Sequence, residues 1–285
     1  MHNLKIIIRK IFLGGFLLLT ISVWYGVLAE EREGLLTVAF LDVGQGDAIF
    51  IEAPNGRQVL IDAGPNKKVL RELSKQMPFY DRSLDICIMT HPDSDHIGGF
   101  PAILETYQVD RILESGVTCS NEICEELDKW VEEKNIEKDI ARRGMKINLG
   151  ANVYLEILFP DRDATNFETN LASLVIKLVY GENSFLLTGD SPQEIEEYLV
   201  FLDSANLDVD VLKLGHHGSR TSSAESFIGY TSPDIVVISV GADNRYGHPH
   251  QEVLDILEKF EVKILRTDEE GTIIIKSDGN KLIYQ

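Results

Sequence analysis

Short apolar runs rich in valine and isoleucine recur at residues 36–40, 48–52 and 59–61. Gly44-Gln45-Gly46-Asp47 and Pro54-Asn55-Gly56 break them, so the segment reads as a β-meander. The pattern turns helical over residues 67–77. A strand at 86–90 then runs straight into Thr-His-Pro-Asp-Ser-Asp-His-Ile-Gly-Gly at 90–99. Helices near 100–107 and over 122–134 flank a strand at 111–114, and the Glu/Lys run at 125–138 reads as a solvated helix face. A second half opens near Val153 with strands at 153–159, 174–180 and 185–187, the last pair joined by Gly181-Glu182-Asn183. Ser191-Pro192-Gln193-Glu194 reads as a capping box with proline at the first helical position. A strand at 209–214 delivers Gly-His-His-Gly-Ser at 215–219, and a strand at 235–240 precedes Tyr-Gly-His-Pro-His at 246–250. A helix over 251–260 and closing strands follow.

Strands precede helices in each half, which suits two sheets packed face to face with helices outside. With no low-complexity tract or linker after residue 34, a single domain at 35–285 is the expectation. The 285 residues suffice for a large buried core.

The formal charge of −19 repels anions at long range. It argues against a protein that tracks long nucleic acid through phosphate contacts, which needs clustered Lys and Arg. Bound divalent cations would offset the charge locally, so the balance limits partner size without excluding phosphate chemistry.

At the N-terminus Lys5, Arg9 and Lys10 precede the uncharged residues 11–28, and Glu30, Glu31, Arg32 and Glu33 follow. This order keeps the basic flank in the cytoplasm and sends the remainder across a membrane. Residues 1–29 are therefore expected to be a signal peptide or an N-terminal membrane anchor, with Val27-Leu28-Ala29 offering a cleavage site. The rest of the chain is expected to be extracytoplasmic, either on a single-pass anchor or secreted. Cys87 reads as an inert core thiol. Cys119 and Cys124 flank a four-residue loop and could bridge in an oxidising compartment.

Six of the seven histidines fall in three short segments, His91/His96, His216/His217 and His248/His250. Metal ligands must be unprotonated and held by surrounding structure, and strand-end loops beside glycines suit them. His91, Asp95 and His96 follow one strand, Asp190 follows Leu186-Leu187-Thr188-Gly189, and His216 follows a third. Singly, each has a plain explanation: Asp190 could begin a helix, Asp95 could cap one, and the paired histidines could lie on the surface. Together they point to a metal-dependent hydrolase.

These motifs resemble the metallo-β-lactamase superfamily. Leu41-Asp-Val-Gly-Gln-Gly-Asp-Ala48 and Tyr246-Gly-His-Pro-His250 narrow the resemblance to the metallo-hydrolase domain of ComEC-type competence proteins and their stand-alone relatives, from about Leu36 to the C-terminus. Only one apolar segment of spanning length is present, so the many-helix channel of those proteins is not expected here. The resemblance implies an α/β fold, an αββα metallo-β-lactamase-like sandwich with the site at one edge between the sheets. It also implies two divalent metal ions, Mn²⁺ or Zn²⁺. Carried over, His91 binds the first metal, Asp95 and His96 the second, Asp190 bridges, and His216 completes the second.

Asp93 stands where the superfamily's second histidine is usual, and Asn170 lies near the place of another. The first position would then have one imidazole among oxygen ligands, favouring Mn²⁺ or Mg²⁺ over Zn²⁺. Asp62 is expected to orient loops, whereas Asp42 and Asp47 read equally as turn residues or as a layer behind the ligands. Asp95 and His248 are the candidates for catalysis, His248 as donor to a phosphate oxygen or leaving group, with a structural role as its alternative. Asn170, His217 and Arg245 are candidate substrate contacts, and Lys213, Arg220 and Arg245 could steady a phosphate.

The reading that follows is an exported phosphodiesterase or nuclease in which two cations activate a shared water. Its substrate is expected to be a phosphodiester or related anionic small molecule, with single-stranded DNA among the options. The alternatives are an esterase, thioesterase or lactam hydrolase, and a non-catalytic accessory component of a DNA-uptake or envelope complex. The retained His/Asp set argues against the last, and the altered first metal position argues against lactams.

Overall fold

The computed structural model describes residues 2–29 and 34–284; the acidic flank at 30–33 lies outside the described residues. Two units separate, Met1–Gly34 and Leu35–Gln285. In the first, α1 (His2–Ala29) is one helix, and Leu4–Gly26 is long and apolar enough to cross a membrane.

The second unit begins with β1 (Leu36–Phe40), β2 (Ile49–Glu52), β3 (Gln58–Ile61), α2 (Lys68–Leu73) and β4 (Ser83–Met89). Next come α3 (Ser94–Ile97), α4 (Phe100–Thr106), β5 (Gln108–Glu114), α5 (Glu122–Lys134) and β6 (Glu137–Ile140). The second sheet is built from β7 (Lys146–Gly150), β8 (Val153–Phe159), β9 (Val175–Tyr180), β10 (Asn183–Leu187) and, after α6 (Gln193–Asp203), β11 (Val211–Lys213). The chain continues with α7 (Glu225–Thr231), β12 (Ile235–Ile238), α8 (Gln251–Lys259), β13 (Lys263–Arg266), α9 (Thr267–Glu270), β14 (Ile273–Ser277) and β15 (Leu282–Tyr284). The first sheet has eight strands in the order β15-β14-β1-β2-β3-β4-β5-β6, and the second has seven, β13-β12-β11-β10-β9-β8-β7.

The strands read as near-continuous apolar runs because both faces of each sheet are covered. Val38, Phe40, Ile49 and Ile51 meet Leu155, Ile157, Ile176, Leu178 and Phe185 in the core between the sheets. The opposite face of the first sheet packs Ala39, Phe50 and Leu60 against Val69 of α2, Ile103 of α4 and Leu127 of α5. Leu186, Leu212 and Val236 of the second sheet pack on Ile195 and Leu199 of α6, Phe227 of α7 and Leu257 of α8. This is the expected αββα layering.

Strands β3 to β6 run parallel, as do β10 to β13. Their carboxyl ends carry residues 62–64, 90–99, 188–190 and 214–219. Open α/β sheets place their ligand sites in the crevice outside such ends.

Three expectations need correction. The helix at 67–77 is regular only to Leu73. Pro192 is the N-cap of α6, in extended backbone without a side-chain cap bond, so no capping box forms. Strands β6 and β7 were not foreseen. Cys119 and Cys124 are joined as a disulfide at the start of α5, where the Asn121 side chain accepts from Cys124 N at 3.0 Å. Cys87 is buried and free, and burial pushes its thiol pKa up.

Candidate metal centre

Two loops bring the centre together by close backbone approach. A Cβ on Gly46 would lie 2.1 Å from the Asp95 carbonyl oxygen, so only glycine lets the Gln45–Asp47 turn rest on the His/Asp loop. Gly215 and Gly218 flank His216 (φ 48°) and His217 (φ 55°), two adjacent residues in left-handed backbone. Such residues cost on the order of 1–3 kcal/mol each and persist where surrounding structure holds them.

Four imidazoles present the same atom to Asp190. His96 Nδ1 donates to Asp62 Oδ2 at 2.7 Å, and the Thr90 hydroxyl donates to the same oxygen at 2.7 Å. With its proton committed there, Thr90 Oγ1 accepts from His91 Nδ1 at 3.1 Å. His217 Nδ1 donates to Ser239 O at 2.8 Å, and His216 Nδ1 meets Thr221 Oγ1 at 3.1 Å. In the neutral form of the His91, His96 and His217 rings, Nε2 is thereby left as the lone-pair atom, the arrangement by which ligating histidines are oriented. His96 Nε2 lies 3.2 Å from Asp190 Oδ1, while His217, His216 and His91 Nε2 lie 3.6, 3.7 and 3.9 Å from Oδ2.

The residues fit a divalent cation. Ligands about 2.1 Å from a tetrahedral ion sit roughly 3.4 Å apart. Asp95, His96, Asp190 and His217 offer ligand atoms within 4.8 Å of one another, and His217 Nε2 is 3.4 Å from Asp95 Oδ2. His91, His96 and His217 Nε2 and Asp190 Oδ1 are buried without a hydrogen bond among the described residues. Buried polar atoms are rarely left so, and bound cations would satisfy them.

The structure separates the two adjacent histidines differently from the sequence reading. His217, expected on the substrate, is fully buried inside the Asp95/His96/Asp190 group. His216, expected to complete the second metal, stands outside that group with its side chain 27% exposed. Asp93 Oδ2 is 3.7 Å from His91 Nε2, on the side of the first position. Asn170 Oδ1 is buried without a hydrogen bond among the described residues, and it follows Thr169, whose side chain hydrogen-bonds Asp93.

Asp47 and Lys213 form a fully buried ion pair behind the ligands, and Lys213 Nζ also donates to Gly189 O at 3.0 Å. Lys213 is therefore unavailable to a phosphate, contrary to expectation. Asp47 lies 3.5 Å from His217 Nδ1 and 3.8 Å from His96 Nδ1, which makes it part of the layer behind the ligands. Asp42 instead accepts from Gly44 N and Lys68 Nζ and is a turn residue. Asp62 ties the end of β3 to the 90–96 loop, accepting from Thr90 N, Thr90 Oγ1 and His96 Nδ1, in keeping with the loop-orienting role read from the sequence.

Electrostatics among these side chains follow this packing. Burial opposes charge on His96, yet Asp190 and Asp62 raise its pKa well above the usual imidazole value. His217 is raised likewise against burial, by Asp190 and Asp95. His91 is lowered by burial and by the adjacent His96, so it is neutral. Burial would raise Asp190, but His217 and His96 outweigh it and hold it ionised.

His248 sits at the rim, its ring centroid 5.6 Å from His216 and 6.4 Å from His217. Its pKa is lowered to about 4 by burial and by the neighbouring imidazoles, so it is neutral at pH 7 and donates only through N–H. Its backbone is tied to Asn244, whose side chain accepts from His248 N at 2.9 Å and donates to His248 O at 2.8 Å. Arg245 and Arg220 are exposed, the latter 3.9 Å from Glu252. Sequence reasoning missed Thr90, Thr221 and Ser239. Thr90 and Thr221 lie in or beside a quoted motif and Ser239 in the strand at 235–240, but only distance shows which imidazole each serves.

A family profile described as the metallo-beta-lactamase superfamily matches residues 41–242. ComE operon protein 3 of Bacillus subtilis (strain 168) is 34% identical over 266 residues, covering 87% of this chain and 33% of that protein. Competence protein ComA of Neisseria gonorrhoeae is 32% identical over 244 residues, covering 85% and 32%. The chain spans about a third of the length of these relatives. Among solved structures, the metallo-beta-lactamase fold protein YhfI from Bacillus subtilis aligns with a TM-score of 0.59 at 12% identity, covering 85% of this chain and 100% of that one.

Proposed function

The chain belongs to the metallo-beta-lactamase superfamily and has its fold, and from that premise we propose that it is an exported phosphodiesterase with a dinuclear metal site. The observation that carries the reading is the convergence of Nε2 atoms on Asp190, each ring fixed through Nδ1. Asp95, His96, Asp190 and His217 would hold one cation. His91, Asp93 and Asp190, with Asn170 beside them, would hold the other. A bound pair of divalent cations supplies Lewis acidity and an activated water.

The chain's own residues supply the remainder. Asp62, through Thr90 and His96, keeps two imidazoles in register. Neutral His248 stands at the rim to donate an N–H to a phosphate oxygen or to the departing group. Oxygen ligands in the first position favour Mn²⁺ over Zn²⁺ and suit an anionic diester better than a lactam. The disulfide suits an oxidising compartment, and the apolar α1 suits a leader or anchor. The competence-protein relatives keep nucleic acid among the substrates worth testing, although they are about three times as long as this chain.

The test is turnover of bis-p-nitrophenyl phosphate and of a chromogenic lactam by the purified chain with Mn²⁺, Zn²⁺ or chelator. Diester hydrolysis fastest with Mn²⁺ and abolished by chelator is expected. Lactam or ester hydrolysis alone would replace this reading with the second one. His248→Ala should retain its metals and lose roughly a hundredfold in kcat on a diester with a poor leaving group, the cost of one lost hydrogen-bond donor to developing charge, and less on a p-nitrophenyl ester. Loss of a metal in that variant would make His248 a ligand.

A further inference from the structure

Tyr246 is an aromatic side chain left 57% exposed at the rim of a polar, metal-binding centre. Its ring lies nearly parallel to His248, at 23° and 5.6 Å between centroids, and the exposed Arg245 guanidinium lies over it at 5.8 Å from its centroid. His248 in turn neighbours His216 and His217, so the ring is two ring contacts from the ligand cluster. The loop that carries it is held at both ends. Asn244 clamps the Gly241 carbonyl and both backbone groups of His248, and Gly241 N donates to the Gln45 side chain at 3.2 Å. A Cβ on Gly241 would fall 2.6 Å from Gln45 N, so this loop rests on the turn that also abuts Asp95. A fixed loop that presents a flat aromatic and a guanidinium beside a phosphate-handling centre matches the elements of a nucleobase-stacking platform.

We infer that Tyr246 is the stacking surface for a nucleobase carried by the substrate, with Arg245 adding a cation beside it; this rests on the phosphodiesterase reading above. The substrate is then a nucleoside phosphodiester of short length. A base can stack whatever its identity, because every base has a π face. The charge of −19 confines such recognition to the few nucleotides nearest the centre, since a long strand needs a basic track.

The experiment compares thymidine 5′-monophosphate with 2-deoxyribose 5-phosphate, which keeps the sugar phosphate and lacks the base. Each is titrated calorimetrically into the full Mn²⁺-loaded chain in detergent micelles. The wild type should bind the nucleotide about tenfold more tightly, within the range that one base–aromatic stack supplies. Tyr246→Ala should bind both ligands equally, at the wild-type affinity for the sugar phosphate and with unchanged metal content. Tyr246→Trp should restore the difference. Equal affinities in the wild type, a base-dependent gain that survives in Tyr246→Ala, or no binding of either ligand overturns the inference. If the gain is present but no phosphodiester is hydrolysed, the hydrolase reading fails and the nucleobase site stands. Hydrolysis without the gain does the opposite: the hydrolase reading stands and the nucleobase site is lost.

Discussion

A single carboxylate orders half of the imidazole set. Asp62 accepts from Thr90 N at 2.8 Å, from the Thr90 hydroxyl and from His96 Nδ1, and Thr90 then takes the His91 proton. Asp62→Asn replaces one acceptor oxygen by an NH₂ group facing other donors, so both rings lose their register. Partners of this kind are worth about 10- to 100-fold in metal affinity. On the proposed site, His217→Ala removes a buried candidate ligand and should lose the second metal outright, whereas His216→Ala should keep both. Competition with a chromogenic chelator ranks the variants, and a larger loss in His216→Ala than in His217→Ala would exchange the roles of the two rings. The sequence reading put His216 on the second metal and His217 on the substrate, and their adjacency gave no sign of which ring would be buried. Both have left-handed backbone; Ser239 O, Asp47 and Asp95 surround the buried His217 ring, whereas His216 meets Thr221 and solvent.

At the scale of elements, the legible parts are those with apolar faces. Strands β1, β3 and β8 and helix α5 lie where the pattern of apolar residues puts them, because each packs against a covered layer. Strands β6 and β7 escaped because each is the last strand of its sheet and largely charged or polar, as exposed edges tend to be. The capping box failed for a related reason. Glu196, not Glu194, engages backbone, and it does so outside its own helix: its carboxylate accepts from Ser223 N at 2.8 Å and Ala224 N at 2.7 Å, at the start of α7. Burial raises its pKa from 4.5 to about 7 despite those bonds. Between these values the folded chain keeps a proton that the unfolded chain releases, so stability from this group falls as pH rises through that window. The change is roughly 3 kcal/mol. Glu196→Gln should flatten the dependence of the urea midpoint between pH 5 and 7.5, although it gives up one acceptor; equal slopes in the two proteins would remove Glu196 as the cause.

At the scale of the whole molecule, three observations concern the same question of compartment. Basic residues occupy the first turns of an apolar helix, the folded unit after it is strongly acidic, and that unit contains a disulfide. The helix alone is ambiguous between leader, anchor and core element, since length and composition pass the same test in each case. The disulfide is independent of it. Cytosolic thiols stay reduced, and a bridge between Cys119 and Cys124 persists only where oxidation is allowed. Sequence order supplied the helix and the spacing of the two cysteines. Their approach to a Cα–Cα distance of 6.1 Å depends on the loop closed by Asn121 at the start of α5. The expected outcome is one alkylatable thiol per chain, Cys87, when the protein is taken directly from its cells and denatured without reductant. Three should appear after reduction. Three thiols before reduction would place the folded unit in the cytoplasm, and with it the active centre, leaving α1 as an anchor that exports nothing.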